Sequence, residues 1–472
     1  MTASCATVSA PRAELLARMN QSRPAADARI TYVETIPFGA SLSAERYVLG
    51  NGLRVLLLVD RSAPVISYQT WFRVGSRHEK AGKTGLAHLF EHLMFNETEH
   101  LAAGEFDRTL ERAGGETNAA TWVDWTFYYE NLPSAELPLA VRLEADRMAH
   151  LVLRDPQVSS EKEVVANERR YRVDDDIEGT VSELLYAAAF ESHPYHWPTI
   201  GWMDDIQGFT TADCEAFYRT YYAPNNATLV IAGDLDVEQT LALVQEHYGV
   251  LSASMIPAEA DAPEPEQTAE RRVDIDRPTP TDKLQIGYKS PGFGERDHST
   301  LIVLNEILFG GRSSRLYRKL ITELELASEV RGSASPFRDT GLYEIWASAR
   351  GEHTSEELLA VIDAELSRLT REDVPEAELE KAKNKLELSF LEGMETASGK
   401  AEQVGFYETV LGDPARVFGR LDEYRAVRPE DLRRLAAEVF DARRRTIVTV
   451  RPNGEEADDE LDENGEDEAD DS

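Results

Sequence analysis

Two imidazoles and a carboxylate share one short stretch, Gly85-Leu86-Ala87-His88-Leu89-Phe90-Glu91-His92-Leu93-Met94-Phe95. His88 and His92 are four residues apart, so on a helix they stack on one face, one turn above the other. Two imidazoles so placed can take adjacent corners of one Zn2+ tetrahedron, each at about 2.0–2.1 Å. Glu91 lies on the same side, where a carboxylate can take the proton of a water held by the ion. The order His-x-x-Glu-His inverts the commoner zinc-protease helix. Catalytic zinc needs three protein ligands and one open position, and two histidines with a glutamate are a known set. Downstream, residues 160–170 read as a charged helix whose Glu161 and Glu168 are seven apart, two turns of one face. Glu168 can complete the set, and Glu161 can hydrogen-bond a ligand histidine and orient its ring. A glutamate on such a helix is usually solvated, so its spacing alone does not single out Glu168.

The elements that must hold these groups follow from pattern. Leu86, Leu89, Phe90, Leu93 and Met94 recur at helical spacing and give the motif an apolar back. Gly50-Asn51-Gly52 between two apolar runs predicts a hairpin, with a further strand over 65–74. Aromatic and β-branched residues predict strands at 117–122 and 126–130. Helices are expected over 135–150, 156–172, 177–190, 213–222 and 237–248. Residues 252–268, rich in Ala, Pro, Glu and Asp, read as a linker. The second half then alternates strands at 283–288, 343–349 and 446–450 with six helices. Both halves close with a helix, an aromatic, a turn and a strand of Thr, Ile and Val. This implies a duplicated α+β unit: two homologous domains, each a mainly antiparallel sheet packed with helices, facing each other across a cavity. The expected map is a polar extension at 1–40, a metal-binding domain at 41–251, a linker at 252–272, a second domain without the motif at 273–453, and a disordered acidic tail at 454–472. His193 and His196 sit in a Pro- and Trp-rich loop and read as loop packing.

Composition bounds the partners. The 472 residues carry a formal charge of −36, partly from the tail. Nucleic acid is disfavoured, because its phosphates would be repelled. Attraction of basic peptides and simple solubility both remain open readings of the acidic body. Two cysteines, Cys5 and Cys214, exclude a disulfide framework and fit a reducing compartment. No apolar run approaches the ~18 residues of a membrane span, and the first residues lack the apolar core of a secretory signal. The expected location is the cytoplasm, or the periplasm or exterior if a signal has been removed.

The inverted motif, followed 76 positions after His92 by Asn167-Glu168-Arg169-Arg170, resembles the pitrilysin/insulinase family of metallopeptidases. Asn51-Gly52-Leu53-Arg54-Val55, Val74-Gly75-Ser76-Arg77-His78-Glu79, Gly115-Glu116-Thr117-Asn118-Ala119, His193-Pro194-Tyr195, Thr199-Ile200-Gly201 and Tyr222-Ala223-Pro224-Asn225-Asn226 match its flanks. The resemblance implies one Zn2+ per chain held by His88, His92 and Glu168, with Glu91 as base, and hydrolysis of peptide bonds in oligopeptides or unfolded segments. It also implies an edge strand at Asn118 and Ala119 that takes up substrate as an added strand. One departure stands out. Relatives carry in the second half an Arg and, seven residues on, a Tyr that stabilise the oxyanion. Aligned here, those positions are Ile321 and Ser328. The expectation is that a homologous subunit without the zinc motif supplies these groups in a heterodimer. A shift of alignment by one turn would instead bring in Arg315, Tyr317 or Arg318. A non-catalytic peptide-binding or structural subunit with a spectator metal is the other class of reading.

Overall fold

Twelve strands in two sheets carry the architecture of this computed structural model, which describes residues 10–23, 25–38, 42–259 and 262–453. The first sheet comprises β1 (Ile30–Phe38), β2 (Leu42–Leu49), β3 (Arg54–Val59), β4 (Val65–Phe72), β5 (Glu116–Thr121), β6 (Thr126–Pro133) and β7 (Ala227–Gly233). Their order is β1-β2-β3-β7-β4-β6-β5. The second comprises β8 (Arg271–Arg277), β9 (Lys283–Ser290), β10 (Ala327–Ala334), β11 (Gly341–Ala349) and β12 (Arg445–Pro452), in the order β10-β11-β9-β12-β8. In each sheet one pair is parallel, β3 with β7 and β8 with β12, and every other pair is antiparallel. The run β3-β7-β4-β6-β5 therefore repeats as β8-β12-β9-β11-β10. The duplicated, mainly antiparallel α+β unit expected from the sequence is present.

Seven helices bear on the site and on the way the halves join. They are α1 (Leu86–Leu93), α2 (Leu137–His150), α3 (Asp155–Arg169), α4 (Ile177–Ala189), α5 (Arg296–Phe309), α6 (Glu376–Glu392) and α7 (Ala397–Leu411). Helices α4 and α7 are exchanged between the halves. Val181 and Leu185 of α4 pack with Leu342, Val448 and Val450 of the second sheet. Ala401, Val404 and Val410 of α7 pack with Leu56, Trp71 and Val230 of the first. A Cβ on Gly405 would stand 2.3 Å from the Trp71 indole nitrogen, so only glycine lets α7 lie this close. The halves thus share two apolar cores besides their own, and burial of apolar surface holds them together.

The polar extension expected at 1–40 needs correction. Ala10–Ser22 is a helix, and β1 pairs along β2 from Ile30↔Leu49 to Phe38↔Leu42, so this segment is the edge of the first sheet. A register shift between Tyr32 and Glu34 breaks the alternation that would have betrayed it. The expected linker also ends two residues earlier, because Arg271 already starts β8. It is tied down: Glu264 accepts three backbone N–H groups of residues 191–193, and Gln267 donates to the Arg445 carbonyl. The acidic tail lies outside the described residues. No described helix is long and apolar enough to cross a membrane.

A candidate metal centre

Helix α1 is fixed before its functional groups are considered. It opens at Gly85, whose φ is +94°. A Cβ there would lie 2.4 Å from the Ile200 carbonyl oxygen, and one on Gly201 would lie 2.3 Å from that of Thr84. Glycine at both positions lets two backbone segments cross. The buried Glu79 carboxylate accepts from the backbone N–H of Gly85 at 2.8 Å and of Ala87 at 2.7 Å. Its two oxygens thereby satisfy donors that the first turn leaves free, while burial pushes the Glu79 carboxyl well above the usual carboxylate range. Leu86, Leu89, Phe90 and Leu93 go into the core. His88, Glu91 and His92 are left facing α3.

Helix α3 supplies the other groups. Glu168 Oε2 stands 3.6 Å from His88 Nε2 and 3.2 Å from His92 Nε2. One donor atom from each of the three residues lies within 4.8 Å of the others. Donors about 2.05 Å from a tetrahedral ion are separated by about 3.3 Å, close to both measured values. Glu168 Oε2 is buried and completes no hydrogen bond, as is His88 Nδ1. Such an oxygen is costly unless something positive shares the space. The residues present therefore fit a zinc ion.

The electrostatics agree. Burial lowers His88 to about 4, so its ring is neutral at pH 7, the form that binds metal. Burial also opposes a proton on His92, but Glu161 and Glu168 outweigh it and raise His92 to about 9. A metal would compete with that proton. Both glutamates are held below the usual carboxylate range, in each case mainly by His92. Glu161 Oε2 is 3.7 Å from His92 Nδ1, the side turned away from Glu168. Glu91 moves the other way: burial raises it, with Thr121 of β5 opposing. A carboxyl pushed upward accepts and returns a proton more readily near neutrality.

The strand expected to take substrate is an edge. β5 pairs with β6 on one side only, and Asn118 is exposed while Ala119 is half-buried. The Asn118 side chain accepts the Ala119 N–H at 2.9 Å.

Other groups at the centre escaped the sequence reading. Asn96 donates to Glu161 Oε1 at 3.1 Å. Arg172 Nη1 sits 3.1 Å from Glu168 Oε1, where α3 runs on into a π-helical turn, Arg170–Asp174. Its spacing of four from Glu168 was a usable signal. Glu79 stood in the matched stretch 74–79 without a role, since its partners lie across a loop.

In the second half, α5 and α6 pair as α1 and α3 do in the first. Between them Glu306 meets Lys385, which also donates to the Gly310 carbonyl at 2.6 Å. An ion pair, not a histidine pair, thus joins the two helices in the second half. Ile321 packs against the second core, and the Ser328 hydroxyl faces the Ser348 carbonyl at 3.4 Å. Arg315 is spent on Glu365 and Glu378, and Arg318 pairs with Glu323. His193 and His196 bond within their loop and to Asp339.

Comparison with known proteins follows the same division. A family model described as insulinase (peptidase family M16) matches residues 54–201, and one described as the peptidase M16 inactive domain matches 208–386. The zinc protease PqqE of Helicobacter pylori is 32% identical, over 90% of this chain and 98% of that protein. The beta subunit of the mitochondrial-processing peptidase of Lentinula edodes is 26% identical, over 82% of this chain and 85% of that one. A solved protease from Helicobacter pylori superposes with a TM-score of 0.83 at 32% identity, over 87% of this chain and 99% of that one.

Proposed function

Because the chain belongs to the M16 peptidase family, we propose that it is a zinc endopeptidase acting on oligopeptides or unfolded segments, as the zinc-bearing subunit of a heterodimer. One observation carries this reading: the His88, His92 and Glu168 donors converge, with Glu91 on the same helix face. Bound there, zinc supplies a Lewis acid that polarises a peptide carbonyl and acidifies a water. The chain's own groups do the rest. Glu91 takes a proton from the attacking water and returns it to the leaving amine. Glu161 fixes the His92 ring from behind, and Arg172 steadies the far oxygen of Glu168. An extended segment adds to the open edge of β5 at Asn118 and Ala119 through backbone hydrogen bonds, which read little sequence. The acidic surface favours basic peptides.

The partner follows from what the second half lacks. Ile321 and Ser328 offer no charged or phenolic donor to an oxyanion, and Arg315 is engaged with two glutamates. A homologous subunit without the zinc motif would provide these groups. The likeness to a chain named as a beta subunit supports the arrangement.

The test is Glu91→Gln, assayed on a quenched-fluorescence peptide library with the chain alone and mixed with such a homologue. We expect turnover to fall by about 10²–10⁴-fold while zinc content and peptide binding persist. Unchanged turnover removes Glu91 as the base. Full activity from the lone wild-type chain removes the partner and leaves the peptidase.

A further inference from the structure

A second set of metal-type donors lies at the far end of α2, apart from the centre just described. Asp146 and His150 are four residues apart, on one face of the last turns of α2. His100 reaches them from the loop after α1. Its Nδ1 is 2.5 Å from Asp146 Oδ1, and His150 Nδ1 is 3.0 Å from the same oxygen. The two rings stand edge to face with centroids 4.8 Å apart.

The loop is built to present His100. Thr98 and Leu151 form an antiparallel bridge, and Glu99 N–H donates to the His150 carbonyl at 2.9 Å. Val152 N–H donates back to the Glu97 carbonyl at 3.0 Å. The Thr98 hydroxyl donates to Asp146 Oδ2 at 2.5 Å and accepts the N–H groups of His100 and Leu101. One carboxylate oxygen is thus tied to the loop and the other is turned to both imidazoles. Asp146 is only 12% exposed, whereas His100 and His150 are 61% and 40% exposed, so the open side of the cluster faces water.

We propose that His100, Asp146 and His150 form a second site for a divalent first-row transition ion of the zinc class. Two imidazoles and one carboxylate suit zinc, cobalt or nickel, and disfavour the all-oxygen preference of calcium and magnesium. The present nitrogen–oxygen distances are those of hydrogen bonds. Ligation at about 2.05 Å requires them to open to about 3.3 Å, a small swing for two exposed rings. Three protein donors with water completing the shell make this site more labile than the buried one. An ion here would staple the loop to α2. That loop begins at Asn96, which holds Glu161, so the site adjoins the support of His92.

The experiment compares metal uptake by wild type with that of His100→Ala and His150→Ala. Each metal-free protein is dialysed against graded Zn2+ and counted by mass spectrometry, then titrated with Co2+ and followed by visible absorption. We expect each variant to take up one equivalent fewer than wild type, or to bind that equivalent at least tenfold more weakly. Equal uptake and equal Co2+ titration in wild type and both variants would overturn the site. The readout is a difference between proteins, so it holds whether or not the buried centre binds zinc. Two separate exposed positions guard against a folding failure in either variant.

Discussion

At the scale of single residues, the proposed centre divides into groups that would touch a metal and groups that would hold them still. Glu161 is of the second kind: it faces the Nδ1 side of His92, while Glu168 faces the Nε2 side. Glu161→Gln keeps shape and removes charge. It should weaken zinc binding by about 10–100-fold, read by competition with a chelator, while turnover at saturating zinc changes little. An equal loss of turnover at saturating zinc would make Glu161 more than a support. The sequence made part of this plain. His88, Glu91 and His92 are separated by three and four residues, and the 3.6-residue period places them on one face without further information. Glu168 lies 76 positions beyond His92, and no local period reaches across that gap; only the packing of α3 on α1 joins them. The role of Glu79 was unread because its partners, six and eight residues on, sit across a loop that no helical or strand period spans.

At the scale of elements, legibility followed burial pattern. The hairpin at Gly50–Gly52 and strands β4, β7, β9 and β11 have apolar runs and were readable. The strands that gave no signal lie at sheet edges: β1, broken by a bulge, β8, with five charged residues in seven, and β10, nearly devoid of large apolar side chains. An edge strand can be polar because one side of it meets solvent. The exchange of α4 and α7 left no trace in either helix's periodicity, which is the same whichever sheet it covers. The seam at α7 is open to test by pH. Lys400 of α7 donates to Asp60, just past β3, at 2.9 Å and lowers the Asp60 carboxyl from 3.8 to about 2. A carboxyl lowered on folding stabilises the fold above its unfolded value and loses that contribution as pH falls through its folded one. Asp60→Asn should therefore cost about 1 kcal/mol in denaturant melts near pH 7, after allowance for solvent screening, and clearly less as pH falls from about 4 through about 2. A difference that is undiminished between pH 7 and pH 2 would mean the cost is steric.

At the scale of the molecule, the two halves are unequal in chemistry and inseparable in structure. The first carries the donors; the second answers with Glu306 and Lys385 at the equivalent helix pair. The segment between them exposes Met255 to 91%. A protease site inserted there and cut should yield two pieces that elute together under native conditions and part only in denaturant. Separation of folded pieces in plain buffer would show that the shared cores contribute little.

Trading helices also constrains the protein's history. A descendant that discarded the metal-free half would strip the cover from Trp71 and its neighbours and bare an oily sheet face to water. The second half thus serves the first as a lid, and its helix Ala397–Leu411 is the element that provides the cover.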